Sequence, residues 1–118
     1  MLPAQYNLPD CYRGDSYGPI LFKFYDLNHD PLDISNATVE CQVGSIGEDR
    51  DRKIVLSWPS TTHGISLSAN VATLEVVPPE EMKMPPDIYF YDLQVTLNGY
   101  TRTFLRGNLT VVAEVTDY

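Results

Sequence analysis

Residues 88–99 constrain the fold more tightly than any other stretch. Tyr89, Tyr91, Leu93, Val95 and Leu97 alternate with Ile88, Phe90, Asp92, Gln94 and Thr96, and Asn98-Gly99 follows at once. A period of two is that of a strand with one buried face. Asn-Gly is the dipeptide best suited to the two positive-φ positions of a type I′ turn. Beyond the turn the period resumes, with Thr101, Thr103, Leu105, Leu109 and Val111 on one face and Arg102, Arg106, Asn108 and Thr110 on the other. The pattern predicts a β-hairpin, and a lone hairpin is at best marginally stable in water, so further strands must cover its apolar side.

Those strands are readable upstream. Ile20, Phe22 and Phe24 alternate with Leu21, Lys23 and Tyr25, and Val39, Cys41 and Val43 alternate with Thr38, Glu40 and Gln42. Ile54–Trp58 is a short apolar run ended by Pro59, and residues 64–67 and 71–76 form a further pair. Asn28-His29-Asp30-Pro31 is turn chemistry, residues 47–53 read as a polar mixed-charge loop, and Pro79-Glu80-Glu81 suits a single helical turn. No helical period persists beyond two turns. About seven short strands in a chain of 118 residues predict an all-β, immunoglobulin-like antiparallel sandwich over residues 19–118. Hydrophobic residues make up 43% of the chain, enough for one modest core.

Residues 1–18 show no period and hold Pro3 and Pro9, so they read as an extended N-terminal arm. Eight of the thirteen aromatic residues are tyrosines, a residue whose apolar ring and polar tip suit surfaces that become covered on assembly. Tyr6, Tyr12 and Tyr17 lie on the arm together with Arg13 and Asp15, and these five are the candidate partner-binding residues.

The net charge of −8 repels phosphate backbones and anionic lipid, so neither nucleic acid nor membrane is an expected partner. The first residues lack the basic and apolar regions of a signal peptide, and no apolar run could span a bilayer. Synthesis in a host cytoplasm is therefore expected, with Cys11 and Cys41 as thiols.

Candidate chemistry is thin. Asp26-Leu27-Asn28-His29-Asp30 resembles the opening of a calcium loop, and Asp33 could add an oxygen. But Pro31 stands where the sharp turn needs glycine and Ala37 where the bidentate glutamate belongs. Cys11, His29, Cys41 and His63 lack the paired spacing of zinc ligands. Neither histidine accompanies a nucleophile elbow, and adjacent Glu80 and Glu81 read as acids at a helical turn rather than a catalytic pair. No catalytic residue, metal or cofactor is expected. Arg13-Gly14-Asp15 reads as a bend into the first strand, with Arg13 paired locally. Trp58, Tyr100 and Phe104 are a conceivable stacking platform for a carbohydrate.

Arg13-Gly14-Asp15-Ser16 leading into Pro19–Phe24, Asp33–Val39, Tyr89–Val95 and Thr103–Val112, closed by Val115-Thr116, together resemble the small immunoglobulin-like structural proteins of tailed bacteriophages and prophages. The chain is also similar to the N-terminal domain of phage upper-baseplate proteins. The likeness covers about residues 13–116. It implies a non-enzymatic virion component in the tail, baseplate or fibre-attachment region. Such a component would dock to other virion structural proteins as a homo-oligomer within the assembly, and it carries no catalytic residues to transfer. A capsid decoration or head-fibre protein and a carbohydrate-binding module are the alternatives. On this reading the arm orders on a partner, and removing residues 1–12 leaves the domain folded.

Overall fold

A computed structural model of the chain describes residues 4–46 and 52–113. Most of the polar loop read at 47–53, the Val115-Thr116 closure and Tyr118 lie outside the described residues.

The chain is an immunoglobulin-like β-sandwich. Seven strands form where the sequence predicts them: β3 (Ile20–Lys23), β4 (Thr38–Ile46), β5 (Arg52–Trp58), β6 (Ile65–Ser68), β7 (Val71–Leu74), β8 (Asp87–Leu97) and β9 (Tyr100–Val112). Two two-residue strands precede them, β1 (Ala4–Gln5) and β2 (Cys11–Tyr12). One sheet runs β1-β9-β8-β4-β5, with β2 also on β9, and the other runs β3-β7-β6. In chain order this is the immunoglobulin arrangement, a three-stranded sheet facing a larger one built on the last hairpin.

Inward residues of both sheets make one core. Ile34, Cys41, Val43, Leu74, Leu93 and Leu109 are fully buried, and the β8 pattern Tyr89, Tyr91, Leu93, Val95 faces inward as its period requires. Trp58 on β5 is buried and its indole N–H donates to the Glu75 carbonyl at 3.0 Å, just beyond β7. The ring thus ties the two sheets together, and truncating so large a side chain costs roughly 3–5 kcal/mol. Phe24 and Phe104 meet edge to face at 5.5 Å and close one end of the core.

The Asn98-Gly99 turn has both residues at positive φ, 54° and 83°, as a type I′ turn demands. Pro79–Glu81 is a single 3₁₀ turn. Tyr89, near the start of β8, donates its hydroxyl to the Pro85 carbonyl at 2.6 Å. This is the tyrosine corner of immunoglobulin-like sandwiches.

The structure corrects two local readings. The β8–β9 register shifts between Leu93 and Gln94, so Leu93 faces Leu105 but Gln94 faces Thr103, and Phe104 is the extra residue. A bulge changes which side a strand presents. Leu105, Leu109 and Val111 therefore line the inner side, whereas Thr103 and Thr101 pair with the outward Gln94 and Thr96. The second correction concerns the arm. Ala4 and Gln5 pair in parallel with Leu105 and Arg106, and Cys11 and Tyr12 with Val111 and Val112. The arm is extended, but it lies on its own domain, with Leu8 and Cys11 buried in the core.

Candidate functional site

Of the five candidate partner-binding residues, the structure leaves three, Tyr6, Tyr12 and Asp15, at the surface. Tyr6 and Tyr12 are 48% and 45% exposed. The Tyr6 ring sits edge to face on Phe22 at 6.4 Å, so the arm spans from β9 to β3 across the side of the sandwich. Tyr17 is buried, which corrects its placement on a partner surface: it exchanges backbone hydrogen bonds with Val77 and donates its hydroxyl to the Pro9 carbonyl at 2.7 Å. Arg13 donates Nε–H to the Lys83 carbonyl at 3.0 Å, and Gly14, at φ 89°, donates its N–H to the Met82 carbonyl. The Arg13-Gly14-Asp15 bend is thereby pinned to the loop after the 3₁₀ turn. The five residues do not converge on one surface.

Burial makes four protic groups near the arm and the start of β8 titrate late. Burial pushes the hydroxyls of Tyr17, Tyr91 and Tyr89 upward, and burial beside Asp10 pushes the Cys11 thiol to about 11. As pH climbs, the unfolded chain releases these protons first, so it binds fewer protons than the folded one and stability falls with pH. Urea-unfolding midpoints should be level from about pH 7 to 8 and drop above about pH 9, with a loss on the order of 2 kcal/mol by about pH 11. A midpoint that holds or rises over that interval would contradict the burial of these groups.

The calcium-like loop uses its carboxylates internally. Asp26 Oδ1 accepts the N–H groups of Asn28 and Asp30 at 2.8 and 3.0 Å. Asp33 Oδ1 accepts both the N–H and the hydroxyl of Ser35, which holds its carboxyl below the usual range. Among the described residues no three His, Cys, Asp or Glu side chains gather as metal ligands. Cys11 and Cys41 are both buried and are not in a disulfide.

One cluster brings reactive groups together. His63 is buried, with Ser60 Oγ and Thr62 Oγ1 each 3.1 Å from Nδ1 and the Ser57 carbonyl 2.7 Å from Nε2. A carbonyl only accepts, so Nε2–H donates to Ser57. The nearest carboxylate, Glu81, lies 3.9 Å from Nδ1, on the same ring nitrogen as the serine, and also accepts from Thr62. A hydrolytic triad needs acid and nucleophile on opposite nitrogens. Here the histidine ties the β5–β6 loop to Ser57 of β5, Thr62 joins that loop to Glu81 of the 3₁₀ turn, and Trp58 packs on the histidine ring at 5.6 Å.

The carbohydrate platform read from the sequence is dismantled. Trp58 is in the core and Phe104 packs inward on Phe24, leaving Tyr100 alone at the surface. A different aromatic takes the exposed position. Phe90 stands on the outer face of the larger sheet, 46% exposed, at the rim of a groove of about 360 Å³. Sequence reasoning passed over this groove, although Ile88 and Phe90 in the polar half of the β8 alternation were its signal.

No family model matches the chain, and no curated protein matches it in sequence. Among solved structures, an endo-fucoidan hydrolase from glycoside hydrolase family 107 superposes on 94% of this chain with a TM-score of 0.55 at 16% identity. The match spans 13% of that enzyme chain, so the likeness is one of fold to a small part of a much longer protein.

Proposed function

We propose that the chain is a non-enzymatic virion component of a tailed phage, a tail, baseplate or fibre-attachment connector that docks to neighbouring structural proteins. What carries the reading beyond the resemblance of the strand motifs is an unguarded sheet edge. Among the described residues β6 pairs only with β7, and its sequence, Ile65-Ser66-Leu67-Ser68, holds no charge and no proline. Edge strands of soluble domains are ordinarily blunted by lysine, proline or a bulge, because open N–H and C=O groups recruit further strands. The other described edges are blunted: β5 has Lys53 and a register shift against β4, β3 follows Pro19 and ends on Lys23, and β1 and β2 are two residues long each. An extended segment of a neighbouring subunit could add to β6 by main-chain hydrogen bonding. The non-enzymatic reading is supported by the His63 cluster, whose serine and carboxylate share one nitrogen.

The test charges this edge without disturbing the core. Ser66 and Ser68 are exposed, so Ser66→Lys with Ser68→Lys should leave the unfolding midpoint within about 0.5 kcal/mol of the parent. Purified particles from a producing lysate should contain the parent chain at fixed copy number and lack the double variant. Particles that carry no copy of the parent would sink the virion reading, and full incorporation of the variant would sink the β6 edge.

A further inference from the structure

The outer face of the larger sheet carries two side-chain rows that cross the strands. Register places Ser57, Gln42, Asp92, Arg106 and Gln5 side by side across five strands. The adjacent row runs Ile54, Gly44, Phe90, Asn108. Gly44 supplies no side chain, so the flank of the Phe90 ring toward β4 stays uncovered, and the groove opens there between Phe90, Asp92, Arg106, Asn108 and Gln5.

We propose that this groove binds a neutral, hexose-based oligosaccharide lying across the strands. Three features carry the assignment. First, an exposed aromatic beside planar hydrogen-bonding groups matches the two faces of a sugar: the ring stacks on the axial C–H face, while carboxylate, guanidinium and amide groups address hydroxyls. Asp92 accepts, Arg106 donates in a fixed fork, and Gln5 and Asn108 do both. Second, neighbouring strands lie about 4.8 Å apart, so the polar row repeats at roughly the advance of one pyranose unit along a chain. Third, the row holds one acid and one base on a chain of net charge −8, which favours a neutral glycan over a sulfated or uronic one. A protein partner is a poorer fit. The face has two separate aromatics, Phe90 in the groove and Tyr12 beside Val112, with scattered aliphatics among polar groups rather than a contiguous apolar centre.

The inference stands apart from the connector reading, because its readout is binding by the isolated full-length chain. Maltohexaose, cellohexaose and laminarihexaose are titrated separately, to millimolar concentration, into ¹⁵N-labelled protein. At least one should give saturable shifts in the amides of residues 42–44, 90–92 and 106–108. Phe90→Ala should weaken that binding about tenfold or more with the unfolding midpoint nearly unchanged, while Phe90→Tyr retains it. Heparin at equal concentration should bind less tightly than the best hexaose. The proposal is overturned if none of the three shifts these amides, if the shifts fall on another surface, or if heparin binds more tightly. It is overturned too if sedimentation shows the chain self-associating through this face in a manner lost with Phe90→Ala.

Discussion

Deleting residues 1–12 will leave a chain that does not fold cooperatively at room temperature. The deletion removes Leu8 and Cys11, which are 3% and 4% exposed, from the core. A buried leucine alone is worth about 2–5 kcal/mol. The same residues supply the acceptors for two buried hydroxyls: the Pro9 carbonyl takes the Tyr17 proton and the Tyr6 carbonyl takes that of Tyr91. Leaving each donor unsatisfied costs roughly 1–3 kcal/mol. The edge of β9 would also lose partners, since Tyr6 and Leu8 now donate to Arg106 and Asn108. The combined loss, on the order of 5–10 kcal/mol, is comparable to the whole stability of a domain this size. The truncated chain should show a poorly dispersed ¹H–¹⁵N spectrum and no sigmoidal urea transition. A synthetic peptide of residues 1–12 added in excess should restore dispersion by reoccupying β9. A truncated chain that unfolds cooperatively would mean that the arm is an appendage after all.

The contrast between the arm and the hairpin explains what the sequence made legible. Tyr89–Leu97 and Asn98-Gly99 announce themselves because strand period and turn chemistry are both local. The same holds for β3 and β4, whose alternation places the core side chains correctly, while β5 to β7 were legible as strands without their faces. The arm pairs with residues about a hundred positions away, through two dipeptide strands too short to show any period. Tyr17 illustrates the ambiguity of its residue type, since an amphipathic ring suits a partner surface and a core rim equally until its hydroxyl acceptor is known. Phe104 was misplaced for another reason: the bulge beside Leu93 turns it inward, and a bulge leaves no mark on the alternation until the partner strand is aligned. The polar row over Gln42, Asp92 and Arg106 was illegible because it runs perpendicular to the chain. Only cross-strand register assembles it.

Gly107 is where the arm's position is enforced, and Gly107→Ala should cost about 3 kcal/mol or more. Gly107 pairs with Tyr91 on the inner side of β9, and the arm crosses it there. A Cβ on residue 107 would lie 2.7 Å from the Tyr6 carbonyl carbon and closer still to its oxygen. Both are backbone atoms, so no side-chain rotation relieves the overlap, and overpacking of this kind typically costs about 1–3 kcal/mol before any bonds are lost. Relief requires lifting the arm. That breaks the Tyr91 hydroxyl bond to Tyr6 and the bond from the Asn108 N–H to Asn7 Oδ1. Gly99→Ala is the control. Gly99 has positive φ but nothing within 4 Å of its added carbon, so its cost should be only the 1–2 kcal/mol of a left-handed alanine. In hydrogen exchange, Gly107→Ala should speed the amides of Tyr6 and Leu8 far more than those of β4, whereas Gly99→Ala should leave the arm amides as slow as in the parent. An alanine at 107 tolerated within about 0.5 kcal/mol, with the arm amides still protected, would show that the chain does not cross β9 at this point.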